Sequence, residues 1–157
     1  MDKNLLKGLT IFTLMVALAI MTAVVSANAQ SRMKVTANIP FEFFVGGHTL
    51  PSGDYIVQAV TSGGAALAIQ GSDTGESAVR LAEPIQAMNR RRSAGLVFHR
   101  YGQKYFLAQI WTEDSIGRQL AKSKQERAME RELASIPSKS ELAESTYETI
   151  EVVAVLR

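Results

Sequence analysis

The stretch VTANIPFEFFVGGHTLPSGDYIVQAV, Val35 to Val60, decides the fold of this chain. In its first half, apolar residues stand at every second position, namely Ile39, Phe41, Phe43 and Val45. Because successive side chains of a strand point to opposite faces, this period places the four on one face, which we expect to be the core face. β-Branched and aromatic residues dominate the second half from Tyr55. A turn-rich segment separates the two halves, and it holds Gly46, Gly47, Pro51, Ser52 and Gly53. The stretch predicts a β-hairpin or a tight β-arch.

A second hairpin is predicted from Gly95 to Thr112, GLVFHRYGQKYFLAQIWT. Two apolar and aromatic runs flank Gly102-Gln103, and a glycine at the first central position suits a type II′ turn. The resulting register gives two cross-strand pairs, His99 with Phe106 and Phe98 with Leu107. In the second run, a period of two places four residues on one face, namely Tyr105, Leu107, Gln109 and Trp111.

Three further apolar segments predict strands. Ala65 to Gln70 lies between glycine-rich turns, and Glu76 to Met88 alternates as far as Pro84. Since proline cannot donate to a strand ladder, we expect the strand to end, to bulge or to lie at an edge there. The β-branched segment Thr149 to Leu156 predicts a closing strand that could pair with an early one. Together with the two hairpins, these segments predict a mainly β fold, an antiparallel β-sandwich or barrel.

One helix is predicted in the C-terminal third, from Arg118 to Ser135. The segment has no glycine or proline and is rich in helix-forming residues. Lys122 and Glu126 have the spacing of an ion pair across one helical turn. A narrow apolar stripe follows at Met129, Leu133 and Ile136. We expect the helix to end before Pro137.

The N-terminus has the order of a secretory signal. Two lysines precede an apolar run from Leu9 to Val25, and Ala27 and Ala29 then form an Ala-x-Ala cleavage site. We expect residues 1–29 to be a signal peptide and residues 30–157 to be a single exported β-rich domain, in the periplasm or outside the cell. The alternative is an uncleaved N-terminal helix that anchors the protein in the membrane, since the run is near the lower length limit for a span.

Composition excludes several classes of function. The chain has no cysteine, which rules out a cysteine nucleophile, a thiolate metal site and a lipid-modified N-terminus. Its formal net charge of +2 is too close to neutral for a nucleic-acid-binding surface. We therefore predict no nucleic-acid partner, and contact with the membrane only through an uncleaved signal segment.

Two blocks of the chain resemble small exported proteins of unassigned function that occur in acidobacterial genomes. They are IPFEFFVGGHTLPSGDYIV, residues 39–57, and LVFHRYGQKYFLAQIWT, residues 96–112. The resemblance also takes in the signal sequence and the basic stretch after Gly117, so it covers most of the chain. It implies export, but it brings no activity, ligand or site residue with it.

Residues that could support catalysis or metal binding lack the necessary spacing. His48 and His99 lie in different hairpins and form no HxH or HExxH pattern, which a metal site would favour. We expect His48 to be a turn residue and His99 to be a partly buried strand residue. Ser52 and Ser93 lie in turns, and no G-x-S-x-G elbow occurs. The carboxylate pairs that glycoside hydrolysis needs would be Glu42 with Asp54 or Glu113 with Asp114. For Glu113 and Asp114, a solvated loop at the end of a strand is the simpler explanation. We predict no catalytic residue, no metal and no cofactor.

A possible binding surface combines three arginines with three aromatic residues. The arginines, Arg90, Arg91 and Arg92, have the forked donors that bind phosphate or acidic polysaccharide. The aromatic residues, Tyr101, Tyr105 and Trp111, offer faces on which sugar rings stack. The competing interpretation is a solvated turn for the arginines and sheet packing for the rings.

The function predicted from the sequence is non-catalytic. Strand and turn patterns dominate, and no nucleophile, metal or phosphate motif stands among them. We expect an exported β-domain with a structural or binding role at the cell envelope, whose partner is an envelope polysaccharide or another envelope protein. The alternative is a small hydrolase whose carboxylate or serine site is assembled only by the fold.

Overall fold

The computed structural model describes residues 33–61, 63–89, 91–112, 115–135 and 147–156. The predicted signal peptide, Arg90 and the pair Glu113 and Asp114 lie outside these ranges. The described residues form ten β-strands and one α-helix. The strands are β1 (Lys34–Ile39), β2 (Phe43–Val45), β3 (His48–Leu50), β4 (Gly53–Ala59), β5 (Ala66–Gly71), β6 (Ser77–Gln86), β7 (Ala94–Tyr101), β8 (Lys104–Trp111), β9 (Ile116–Leu120) and β10 (Glu148–Leu156). The helix, α1, spans Lys124–Ala134.

Eight antiparallel strands close into a barrel. The hydrogen-bonded order is β8-β7-β10-β1-β4-β5-β6-β9, and β9 pairs again with β8. The short hairpin of β2 and β3 lies beside the barrel, where β2 runs parallel to β8. The predicted fold class is confirmed, with the barrel rather than the sandwich as its form. The closing strand β10 lies between β7 and β1, so it pairs with an early strand.

The first predicted strand is divided in two by Pro40. Strand β1 pairs with β4 from Lys34 opposite Gln58 to Ile39 opposite Gly53, which makes the predicted arch. Proline has no N–H with which to continue that ladder, and the chain leaves β4 before β2 begins. The predicted core face is confirmed, because Ile39, Phe43 and Val45 are buried and Phe41 packs against the core half-buried.

Side chains fill the interior of the barrel. The core residues come from nearly every strand, and the largest are Phe43, Tyr55, Phe98, Ile39, Leu67, Ile69, Leu96 and Ile110. Phe43 meets Tyr55 and Phe98 edge to face, with ring centroids 5.0 and 5.5 Å apart. The hydroxyl of Tyr55 donates to the carbonyl oxygen of Pro51 at 2.8 Å, which satisfies its polar end. Among the described residues, these side chains form one apolar core inside the barrel.

The hairpin of β7 and β8 has the predicted register. Phe98 lies opposite Leu107, and His99 lies opposite Phe106. The φ of Gly102 is positive, at 63°, as expected for the first central residue of a type II′ turn. The prediction that one face of β8 carries all four of its residues Tyr105, Leu107, Gln109 and Trp111 is wrong. Ala108 is an extra residue opposite the junction of Val97 and Phe98, and this bulge reverses the faces. Leu107 therefore packs in the interior, while Gln109 and Trp111 lie on the outside.

The predicted helix begins too early. Residues 116–120 form β9, which pairs with both β6 and β8 and closes the barrel. The helix starts at Lys124, because the side chain of Ser123 accepts a hydrogen bond from the backbone N–H of Glu126 at 3.0 Å and caps the first turn. The prediction of helix over residues 118–123 is wrong, and the prediction of helix in the following segment is confirmed.

Strand β6 changes its partner halfway along. It pairs with β5 as far as Leu81 and with β9 from Ala82 to Gln86. Pro84 thus lies in a part of the strand that pairs with β9 alone, as expected for a proline at a local edge. On the outer face just before this change, Val79 and Leu81 are 61% and 77% exposed.

Candidate functional site

A buried polar cluster joins the helix to the outer wall of the barrel. Nδ1 of His99, on β7, lies 2.8 Å from Oε1 of Glu126, on α1. The two residues are only 8% and 4% exposed. A carboxylate so far from water needs a hydrogen-bonding partner, and the imidazole provides it.

The helix meets the barrel along one narrow stripe. Glu126, Met129, Glu130 and Leu133 recur at the spacing of one helical face, and these are the residues of α1 that are buried or half-buried. Only Glu126 is fully buried. The contact that holds the helix is therefore centred on a charged side chain instead of an apolar one.

Two tyrosines complete the cluster. The ring of Tyr147 stacks on His99 with centroids 3.9 Å apart, and the hydroxyl of Tyr101 donates to Oε1 of Glu126 at 3.5 Å. Burial, and after it the negative charge of Glu126, raises the pKa of Tyr101 well above its ordinary value. The phenol thus stays protonated and remains a donor to the carboxylate.

Lys122 lies at the rim of the same cluster. Its ammonium is 2.7 Å from Oε1 of Glu130 and 5.2 Å from the ring centre of Tyr147. Burial lowers the pKa of Lys122, but the hydrogen bond and charge of Glu130 outweigh it, and the pKa rises above its ordinary value. Lys122 is therefore charged and already paired.

The chemistry available to this cluster is limited by its closure. An imidazole oriented by a carboxylate is the base of many hydrolases, and it acts on a nucleophile and a substrate that both reach it. Here the ring of His99 is covered by Tyr147 on one face and faces Glu126 at its edge. Within the described residues, no three His, Asp or Glu side chains lie close enough to hold a metal ion. The arrangement is suited to clamping the helix.

A separate groove lies at the beginning of the helix. Four segments line it: the turn between β2 and β3, the middle of β6, the linker after β9, and the first turn of α1. The groove has a volume of about 650 Å³, which is in the range of small-molecule sites. Its lining residues are Gly46, Gly47, Val79, Arg80, Leu81, Leu120, Ala121, Lys122, Ser123, Lys124, Gln125 and Arg127.

Positive charge dominates the polar part of this groove. Four of its lining residues are cations, and none is acidic. Arg80 is held in place, because its Nη2 donates to the carbonyl oxygen of Val45 at 3.3 Å. The guanidinium lies directly against Gly46, which has a φ of 65° and no side chain to collide with it. The Nε of Arg80 is buried and has no hydrogen-bond partner among the described residues.

The predicted arginine surface is only partly free. Arg90 lies outside the described residues. The guanidinium of Arg91 pairs with the carboxylate of Glu151 and lies 5.1 Å from the ring centre of Trp111. Arg92 is exposed. Arg91 and Trp111 therefore lie together, but they contact each other, and the charge of Arg91 is already paired with Glu151.

The three predicted aromatic residues do not share one surface. Tyr101 and Trp111 are 2% and 7% exposed, and Tyr105 stacks on Phe41 with centroids 3.9 Å apart. The Nε1 of Trp111 donates to the side chain of Gln109 at 2.9 Å. Each ring is packed against its neighbours, which leaves little face for a sugar.

Of the other candidates, His48 and Ser52 are exposed, and Asp54 accepts a hydrogen bond from Asn38 at 2.9 Å. The residues that sequence reasoning missed are Glu126 and Arg80. Glu126 shares a helical stripe with Met129 and Leu133, which was the available signal. Arg80 stands between Ala78 and Ala82 at a period of two, a sign that it belongs to the inward-facing row.

Comparison of the chain with protein-family models, with curated proteins and with solved structures finds no match. Among the described residues, no helix is long and apolar enough to cross a membrane. A function for this chain therefore follows from its own sites.

Proposed function

We propose that this chain is an exported, non-catalytic β-barrel domain that binds a ligand at the cell envelope, in the periplasm or outside the cell. The observation that carries the binding role is the groove at the beginning of α1. It combines exposed aliphatic side chains with four cationic residues in a volume of about 650 Å³. Export rests on the signal pattern of residues 1–29.

The scaffold supports a binding role. Two of the segments that line the groove are barrel strands or tight turns between strands, so the site is formed before a ligand arrives. A preformed site avoids the entropic cost of ordering its own walls. The arrangement also leaves the groove on the outside, where an envelope polysaccharide, another envelope protein or a small ligand has access.

The rival is a small hydrolase that uses the pair of His99 and Glu126. At 2.8 Å, the two groups have the separation of a base and its orienting acid, and this observation favours the hydrolase. The low exposure of both residues supports the binding role instead. Tyr147 covers one face of the imidazole, and Glu126 occupies its Nδ1 edge.

A turnover screen tests the non-catalytic role. Purified protein is incubated with generic ester, glycoside and peptide substrates, beside a Glu126→Gln variant and a Ser52→Ala variant. We expect no turnover above background in any sample. Turnover by the parent protein that either variant abolishes would overturn the proposal in favour of the hydrolase.

Export has its own test. Mass spectrometry of the protein from the envelope fraction of its producing cells should give a chain that begins at Gln30. An intact N-terminus in the membrane fraction would contradict cleavage and establish an anchored protein.

A further inference from the structure

We infer that the groove at the beginning of α1 binds a fatty carboxylate, a single alkyl chain that ends in one negative charge. This inference rests on the proposed binding function and names the class of its ligand. It depends on two features of the lining, a cationic end and an aliphatic end, which lie side by side.

The cationic end is formed by the first turn of the helix. Lys124 and Arg127 are exposed there, and neither forms an ion pair with another described residue. Lys122, in contrast, is already paired with Glu130. The N-terminus of the helix adds the positive end of its dipole to these two charges. An anion placed here meets attraction from several sources, and Glu130, which lies near both cations, is already paired with Lys122.

The aliphatic end is formed by the outer face of β6. Val79 and Leu81 are large apolar side chains that are more than half exposed, at 61% and 77%. Leu120, in the same lining, is buried and only 6% exposed. Covering these side chains with an alkyl chain removes apolar surface from water, which is favourable.

The lining distinguishes an alkyl chain from a sugar. None of its residues is aromatic, and stacking on an aromatic ring is the usual apolar contact of a sugar. The volume of about 650 Å³ suits a small molecule and not a long polysaccharide. Charge complementarity then selects an acid over a neutral or cationic amphiphile.

Titration calorimetry with three probes tests the ligand class. The probes are sodium dodecanoate, dodecyltrimethylammonium and sodium acetate, each below any micelle concentration, added to protein isolated from producing cells. Dodecanoate has both features, and each of the others lacks one. We expect dodecanoate to bind at least about tenfold more tightly than either of the others.

Matched variants test the location. Leu81→Ser should weaken dodecanoate binding by about tenfold, because an exposed apolar contact is lost. Lys124→Gln and Arg127→Gln should each weaken it by about two- to fivefold, as for an exposed charge pair. The controls are Val153→Ser, a similarly exposed apolar residue on β10, and Lys104→Gln, an exposed lysine at the β7–β8 turn. Neither control should change the affinity, and all five changes are at exposed positions where folding is spared.

Four results would overturn the inference. Equal binding of the cationic amphiphile would mean a merely apolar surface, and equal binding of acetate would mean a simple anion site. Losses in the controls as large as in the groove variants would place the site elsewhere. If polygalacturonate or an acidic peptide binds while dodecanoate does not, the fatty carboxylate is excluded but the binding function stands. Turnover in the substrate screen would instead remove the binding function itself.

Discussion

Oε1 of Glu126 lies 2.8 Å from Nδ1 of His99, and the two residues are 27 positions apart in the chain. This contact lies at the centre of the stripe by which α1 meets the outer wall of the barrel. Both groups are nearly out of water, and Tyr101 and Tyr147 enclose them. A buried pair of this kind holds its elements in register chiefly because separating the two groups leaves each without a partner.

The first prediction is that Glu126→Ala destabilises the protein by up to about 3–5 kcal/mol, as when one partner of a buried pair is removed. The change leaves the imidazole of His99 buried without its acceptor, whereas the cap of the helix is kept, since Ser123 bonds the backbone of residue 126. Urea unfolding measures the loss. Glu132→Ala, an exposed change on the same helix, is the control and should alter the unfolding free energy by less than about 0.5 kcal/mol. Equal losses would show that the pair does not hold the helix.

The second prediction concerns alkaline pH. The pKa of Tyr101 is raised in the folded protein, first by burial and then by Glu126. Because the folded state holds this proton more tightly than the unfolded chain, the associated stability is complete below pH about 10 and is lost as the pH rises further. The loss should reach about 1.4 kcal/mol per pH unit for this group. Urea unfolding between pH 9 and 11 measures it.

Tyr101→Phe is the variant that isolates this effect. It should make the decrease in unfolding free energy at alkaline pH less steep. Part of the decrease should remain, because the pKa values of Tyr55 and Lys122 are also raised. Tyr105→Phe, at a half-buried ring stacked on Phe41, is measured beside it as a tyrosine outside the cluster of His99 and Glu126. An unaltered slope in Tyr101→Phe would exclude this phenol as its source.

The third prediction uses the one tryptophan of the chain. Trp111 lies between two glycines in the sheet, opposite Gly95 on β7 and Gly117 on β9. A Cβ at Gly117 would lie 2.5 Å from Cε3 of the indole, so the ring must shift. Gly117→Ala should therefore cost about 1–3 kcal/mol, as overpacking does. It should also shift the tryptophan emission to the red as the indole meets water.

Gly47→Ala is the matched control for this change. A Cβ there meets nothing within 4 Å, so we expect no change in the emission and little in the urea midpoint. If Gly117→Ala leaves both quantities at their parent values, the indole does not lie over this glycine.

Alternation along the strands predicted most of the barrel, because a buried face leaves a local record in the sequence. It placed the core face of β1 and β2, whereas the two-residue turn at Gly102 placed the register of β7 with β8. Strand β9 was missed because Arg118 to Leu120 belong to a segment of helix-forming residues, and pairing on both sides overrides that propensity. The bulge at Ala108 has no local signature either, since it depends on the partner strand.

The sites were less predictable than the fold. Local spacing pairs Glu126 with Lys122, whereas in the structure Glu126 turns to His99 and Lys122 to Glu130. The groove has no sequence motif, because its lining comes from four distant segments. Contacts between residues far apart in the chain are set by the closure of the barrel, and no period within one segment encodes them.

The last prediction separates the two faces of β2. Phe43 is fully buried and packs edge to face against Tyr55 and Phe98. Phe44 points the other way and is half-buried, where it stacks on Phe106 with centroids 5.0 Å apart. Phe43→Ala should cost about 3–5 kcal/mol, as for a phenylalanine in a packed core. That is a large part of a typical stability of about 5–15 kcal/mol, so the protein should come close to unfolding.

Phe44→Ala is the internal comparison. It should cost clearly less, because the ring that it removes stacks on one partner, Phe106, and is already partly in water. Denaturant melts of the two variants give the difference directly. If Phe44→Ala is the more damaging, the faces of β2 are reversed, because a shift of one residue moves every side chain of a strand to the opposite face. Small and equal losses would instead show that β2 contributes little to the core, and that the barrel closes without it.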